Sequence, residues 1–226
     1  MPTLYVVATP IGNLEDLSNR ARRVLGSVDL VLCEDTRVTV KLLSALGIRA
    51  SMQALHQHST SARHARYIEL LREGKNLALV SDAGTPNISD PGGRFIADAI
   101  SALGDDLKVA PIPGVSALTA ALSISAFPAD VFTFLGFPPH KKGRKSFFDR
   151  LERIEHTIVF YESVHRAQKA LAELVRVMPS RQLLLARELT KLHETLYRGT
   201  PAEVTAVLEA DTIKGEFVFV IAPKKL

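Results

Sequence analysis

The order of apolar runs and helical periodicities in this chain predicts an α/β protein in two parts, the first on a mostly parallel sheet and the second on a mixed one. Three observations carry that expectation. Short apolar runs alternate with amphipathic stretches through the first half, which is how doubly covered parallel strands and their crossover helices read. Phe127-Pro128-Ala129-Asp130 interrupts the alternation and a second set of strands follows, so domains are expected over 1–128 and 129–226. At 226 residues, 46% hydrophobic and 23% charged, the chain can build a substantial core and lies far from the composition that keeps chains disordered.

The runs TLYVVA (3–8), DLVLC (29–33), NLALVS (76–81) and LKVAPI (107–112) predict the first four strands. Helical patterns at 16–26, 37–46, 62–73 and 93–103 lie among them, the last two closed by Gly74 and Gly104. In the second part, strands are expected near 131–137, 157–161, 183–187, 194–198 and 216–222. Val164, Ala167, Leu171, Leu174, Val175 and Met178 recur at helical spacing and predict an amphipathic helix between two of them.

Composition excludes several classes. Lys and Arg number 28 against 24 acidic residues, so the net charge of +4 permits an anionic partner without indicating one. The densest cationic cluster is His140-Lys141-Lys142-Gly143-Arg144-Lys145. The single cysteine, Cys33, rules out an internal disulfide framework, suits a reducing compartment and is expected buried in a strand. MPTLYVVATP has no charged segment ahead of a long apolar run, and no apolar stretch reaches membrane-span length. A cytoplasmic protein with no membrane partner is therefore expected. The histidines at 56, 58, 64, 140, 156, 165 and 193 show no metal-binding spacing, so no metal is expected; His56 and His58 can share a strand face, as ligands or as plain surface residues.

In an open parallel sheet, ligands bind beyond the carboxyl ends of the strands. The loop Thr9-Pro10-Ile11-Gly12 lacks the glycine spacing of a pyrophosphate cradle; it is either a tight turn or a close approach of backbone to a ligand. The loop from Ser81 through Asp82, Ala83, Gly84, Thr85, Pro86, Asn87, Ile88, Ser89, Asp90 and Pro91 to Gly93 is far longer than the roughly two to six residues usual between strand and helix. Its polar backbone suits a cationic ligand such as a sulfonium, while the plainer reading is an elaborate helix cap with Asp90 near the helix start. Pro111-Ile112-Pro113-Gly114-Val115-Ser116-Ala117-Leu118 leads into a small-residue helix where Ser116 and Ala117 permit a flat group to approach. Three such loops at one edge of one sheet make a site.

TPIGNLED, CEDTR at 33–37, SDAGTPNISDPG, PIPGVSAL, FTFLGFPP, FYESVHR and ARELTKLHE, spread from about residue 3 to 222, together resemble the bacterial ribosomal RNA small-subunit methyltransferase I family. The resemblance implies the tetrapyrrole-methylase fold, S-adenosylmethionine as cofactor, and 2'-O-methylation of a cytidine in the decoding region of 16S rRNA. It further implies 16S rRNA in the small ribosomal subunit as partner, and a homodimer. Many members of that family continue with a further small carboxy-terminal domain.

In that fold the cofactor lies in a cleft between the two domains, held largely by backbone. The resemblance assigns Pro10, then Ala83, Gly84, Thr85 and Ile88, then Ser116 and Ala117 as contacts, with Tyr161 and Leu189 from the second domain. Ribose hydroxyls are weak acids, so a general base is expected, and Asp35 or Glu34 is the candidate, with Arg37 as a phosphate or carboxylate clamp. The competing reading is that Glu34 and Asp35 cap the next helix and pair with Arg37. Lys141, Lys142, Arg144 and Lys145 are expected on a projecting loop, before a helix opening near Ser146, as an RNA-binding element or as a solvated loop. Glu188 and Lys191 are either cofactor neighbours or a local i, i+3 pair. Rival functions are a methyltransferase of this fold acting on a tetrapyrrole or protein, and a non-catalytic nucleotide- or RNA-binding module.

Overall fold

A computed structural model describes residues 1–56, 60–90, 92–210 and 214–225, in two compact units, Met1–Ser116 and Ala117–Leu226. The first contains β1 (Thr3–Val7), α1 (Asn19–Leu25), β2 (Leu30–Cys33), α2 (Thr36–Ala45), β3 (Met52–Ala54), α3 (Ser61–Arg72), β4 (Leu77–Val80), α4 (Gly93–Leu103) and β5 (Lys108–Ile112). The sheet order is β3-β2-β4-β1-β5 and its pairings are parallel. Every residue of β2 and β4 is buried because the alternating side chains meet helices on both faces. Leu4, Leu30, Leu32, Leu77 and Leu79 face Tyr67, Ile68 and Leu71 of α3 and Phe95 and Ala99 of α4. Val7, Val31, Cys33, Ala78 and Val80 face Ala21 and Leu25 of α1 and Leu43 of α2. Burying each large side chain of this kind contributes about 1.5–3 kcal/mol.

The two helical layers follow from topology. The chain moves toward β3 through α1 and α2, then back toward β5 through α3 and α4, and right-handed crossovers in opposite directions place their helices on opposite faces. β4 leaves toward one face while both its neighbours, β2 and β1, leave toward the other. The switch point, where such sheets bind ligands, therefore falls at the carboxyl end of β4.

The second unit contains α5 (Ala117–Ser125), β6 (Phe132–Phe134), α6 (Arg144–Leu151), β7 (Thr157–Ser163), α7 (Val164–Val177), β8 (Leu183–Arg187), β9 (Thr195–Gly199), α8 (Pro201–Glu209) and β10 (Glu216–Ile221). Its sheet, ordered β6-β7-β10-β8-β9, is parallel between β6 and β7 and antiparallel elsewhere, which makes it mixed. Phe148, Phe160, Leu171, Leu174 and Phe219 anchor one core between this sheet and α6, α7 and α8. Arg181 closes its edge: buried itself, it donates to the carbonyls of Ala222, Ile154 and His156. Burial pulls the Arg181 pKa down.

Several expectations are revised. The units divide after Ser116 rather than at residue 128, because α5 is held by the second unit. Leu118 N–H donates to Tyr161 Oη at 3.0 Å, and Arg198 binds the Ser125 and Ile124 carbonyls. β3 is a partly exposed edge strand without an apolar run. α8 announces itself through Thr200-Pro201-Ala202-Glu203, a capping box with proline in the first turn, a signal that the reading by apolar runs passed over. Val175 falls off the buried stripe of α7 and is 37% exposed.

Candidate functional site

The three unusual loops of the first unit are bound to one another at the carboxyl ends of β1, β4 and β5. Thr9 and Gly84 exchange backbone hydrogen bonds of 2.9 and 3.0 Å. The Ser81 hydroxyl donates to the Gly84 carbonyl at 3.0 Å, and the Thr85 hydroxyl to the Val115 carbonyl at 3.0 Å. Gly84 has φ +81°, and a Cβ there would lie 3.3 Å from Ile11 Cγ2 and 3.7 Å from the Val115 carbonyl oxygen. Gly114 is closer still: a Cβ would stand 2.9 Å from that of Ala8. Asn87 and Ser89 also take positive φ, of 72° and 64°, a conformation that asparagine tolerates better than most residues. Pro10, Ala83, Gly84, Thr85, Ile88 and Ser116 all lie on these loops, whereas Pro91 lies outside the described residues.

Beside them, at the ends of β2 and β3, Glu34, Asp35, Thr36, Arg37, Ala54, His56 and Asp82 line a cavity of about 460 Å³. Asp35 caps α2: its Oδ1 accepts the Arg37 backbone N–H at 2.8 Å, and its own N–H donates to Asp82 Oδ1 at 3.0 Å. The Arg37 guanidinium grips the same carboxylate at 2.6 Å. These bonds to Arg37 pull the Asp35 pKa down to about 2. Glu34 moves the other way, because burial, Asp82 and Asp35 all oppose its charge while His56 partly offsets them. Of the two base candidates, Asp35 is a weakly basic structural carboxylate and Glu34 is the stronger base. Arg37, with a side chain 87% exposed, turns two of its nitrogens to Asp35.

Cys33 is buried, and burial raises its thiol pKa. His56 lines the cavity; His58, with which a shared strand face was considered, lies outside the described residues. A smaller cavity of about 180 Å³ adjoins His56, His64 and Arg94, where His64 Nδ1 meets Asp98 at 2.6 Å. Among the described residues no cluster of His, Cys, Asp or Glu is arranged to hold a metal ion, and no helix is long and apolar enough to cross a membrane.

In the second unit, Ala117 opens α5, and Tyr161 on β7 packs edge-on to Phe134 and Phe137. Leu189 is buried between two left-handed residues, Glu188 (φ 51°) and Thr190 (φ 65°). The Glu188 carboxylate fixes this loop by accepting from Lys191 at 2.8 Å and from the Glu216 backbone at 2.9 Å. Glu188 and Lys191 are thus a local pair, extended by Glu216.

The cationic segment needs one correction. Lys141 and Lys142 sit on the loop and Lys145 is exposed in the first turn of α6, but that helix begins at Arg144, ahead of Ser146. Arg144 is turned inward, 13% exposed and bonded to the buried Glu162 at 2.8 Å, so it is not a free phosphate ligand. A lone buried carboxylate is costly, which is why the guanidinium leaves the surface.

Solved structures of this fold include diphthine synthase, with a TM-score of 0.74 at 15% identity, covering 97% of this chain and 90% of that one. A cobalt precorrin-4 methyltransferase scores 0.71 at 16% identity, covering 97% and 94%. Uroporphyrin-III C-methyltransferase from Thermus thermophilus complexed with S-adenosyl homocysteine scores 0.64 at 18% identity, covering 97% of each chain. The family model described as tetrapyrrole (corrin/porphyrin) methylases matches residues 3–205, so fold and family model together define a tetrapyrrole methylase. Proteins named ribosomal RNA small subunit methyltransferase I match more specifically. That of Xylella fastidiosa is 45% identical over 225 residues, covering 97% of this chain and 81% of the relative. That of Leptospira biflexa is 43% identical, covering 98% and 91%, and that of Escherichia coli O157:H7 43%, covering 98% and 78%. The chain belongs to the ribosomal RNA small subunit methyltransferase I family and is a methyltransferase.

Proposed function

We propose that this protein transfers the methyl group of S-adenosylmethionine to the 2'-hydroxyl of a cytidine in 16S rRNA, acting on the small ribosomal subunit in the cytoplasm as a homodimer. The carrying observation is the pairing of two features in the first unit: a glycine-centred junction of three loops, and a carboxylate-lined cavity at the end of β2.

The loop junction fits the cofactor. Its glycines let the three loops pack directly against one another, which shapes the backbone surface offered to the cofactor, and Asp82 supplies negative charge in the neighbouring cavity. When bound, the cofactor supplies an electrophilic methyl group on a cationic sulfur. The protein's part is to hold the acceptor oxygen in line, which can lower a barrier by roughly 7–11 kcal/mol. Glu34 takes the hydroxyl proton, because its raised pKa makes it the better base; such a group contributes about 10²–10⁴-fold. Asp35 and Arg37 hold the loop, and Lys141, Lys142 and Lys145 contact phosphate. Ala117, Tyr161 and Leu189 join the cofactor set on the resemblance alone.

The test is to map ribose methylation in small subunits isolated from cells lacking the protein, before and after incubation with it and S-adenosylmethionine. One new 2'-O-methylcytidine, with matching S-adenosylhomocysteine release, is expected. Cofactor turnover on a tetrapyrrole but not on subunits would refute the assignment.

A further inference from the structure

Of Phe160-Tyr161-Glu162-Ser163-Val164-His165-Arg166, the proposed cofactor set uses only Tyr161. Glu162 is nevertheless a carboxylate with a side chain 0% exposed. Its Oε2 accepts from Arg144 Nη1 at 2.8 Å; its Oε1 lies 3.2 Å from Arg166 Nε and accepts the Ser163 N–H at 2.8 Å. Arg144 continues to the Pro139 carbonyl at 3.3 Å and the Arg166 carbonyl at 3.5 Å, with its guanidinium 5.2 Å from the centre of the Phe148 ring. One buried carboxylate thus joins the loop before α6, the first residue of α6, the end of β7 and the first turn of α7.

The charges around it do not cancel. Arg144 and Arg166 oppose the single Glu162, and Arg166 Nη1 is buried without a hydrogen-bond acceptor. Neither α6 nor α7 has a side-chain cap on its amino end, so their leading N–H groups add to the positive potential. Lys141, Lys142 and Lys145 are exposed on the segment that Arg144 ties down. Untethered, three lysines so close in sequence would spread apart by mutual repulsion.

We propose that Glu162 is a positioning residue for the RNA: through Arg144 and Arg166 it clamps the amino ends of α6 and α7 together, so that Lys141, Lys142 and Lys145 meet the phosphate backbone as a fixed set. This rests on the reading that those lysines contact RNA. Arg144 serves the same end from inside, without touching phosphate.

Glu162→Gln provides a test in which charge and position act in opposite directions. The substitution makes the cluster more positive, so simple attraction predicts tighter RNA binding, whereas a lost clamp predicts weaker binding. Affinity for small ribosomal subunits and for single-stranded oligocytidylate is measured across salt concentrations, with S-adenosylmethionine affinity and melting temperature alongside. The expected result is at least a tenfold loss of RNA affinity and a salt slope smaller by about 1.4–2, two or three phosphate contacts at roughly 0.7 each, with unchanged cofactor affinity. A folded Glu162→Gln protein that binds RNA as tightly as the parent, or more tightly, overturns the proposal. If that variant does not fold, Arg144→Lys decides: it keeps the charge, so attraction alone predicts unchanged RNA binding, but it loses the guanidinium's bridge to the Pro139 and Arg166 carbonyls, so a lost clamp predicts weaker binding. The variant Lys141→Ser/Lys142→Ser/Lys145→Ser separates the two claims. Parental affinity and slope there would remove the RNA-contact reading itself, whereas losses there beside an unaltered Glu162→Gln would overturn the clamp alone.

Discussion

Gly84 is where the three loops of the first unit converge, and substitution there gives two separable effects. At φ +81°, an alanine incurs about 1–2 kcal/mol of left-handed strain, partly offset by about 0.4–1 kcal/mol from a more restricted unfolded chain. The net loss, at most about 1.6 kcal/mol, lowers the melting temperature by no more than roughly 6 °C at this chain length. Valine is worse: its Cβ already stands 3.3 Å from Ile11 Cγ2 and 3.7 Å from the Val115 oxygen, so its methyl groups must displace Ile11 or Val115. Overpacking of that kind costs about 1–3 kcal/mol and strains the Thr9–Gly84 bridge. A protein destabilised by so little remains folded, so any loss of ligand affinity reports on the site. Calorimetric titration with S-adenosylmethionine should show at least a tenfold loss for Gly84→Val and a smaller one for Gly84→Ala, with thermal unfolding run in parallel. Parental affinity in folded Gly84→Val would show that the junction does not hold the cofactor.

Glu34→Gln should slow methyl transfer by about 10²-fold or more while cofactor affinity holds. Because the folded pKa of Glu34 is raised, the parent's rate should climb with pH through an ionisation above the ordinary glutamate range, and the variant should lose that limb; a rate within threefold of the parent removes Glu34 as base. The same shift means that Glu34 costs stability once ionised, so Glu34→Gln should melt no lower than the parent at pH 7, as scanning calorimetry can check. Asp35→Asn keeps the helix cap but loses the Arg37 fork, and should reduce turnover by less than tenfold. Asp35 is lowered from 3.8 to about 2, so its stabilisation is present above about pH 4 and lost as pH falls toward 2; melting curves of parent and variant should converge there. Arg181→Met strands the carbonyls of Ala222, Ile154 and His156 at roughly 1–3 kcal/mol each, and urea unfolding should show a loss of at least about 3 kcal/mol. A loss under 1 kcal/mol would mean that water replaces the guanidinium.

The sequence by itself determined the class of fold and pointed to the candidate site. Buried parallel strands carry unbroken apolar runs, so β1, β2, β4 and β5 were legible, and loops of unusual length and glycine content were visible at their ends. Motifs as long as SDAGTPNISDPG carried the family, because so long a match does not arise by chance. Tertiary structure alone decided how charge is distributed. Asp35 and Glu34 are adjacent and both acidic, yet Arg37 lowers one pKa while burial and Asp82, distant in sequence, raise the other. Arg144 read as one of four equivalent cations until the fold placed the buried Glu162 against it. Periodicity records which residues leave water, since burial is a property of each side chain's own surface. Pairing depends on which partner the chain brings within about 3 Å, and residues remote in sequence meet only once the sheet has formed.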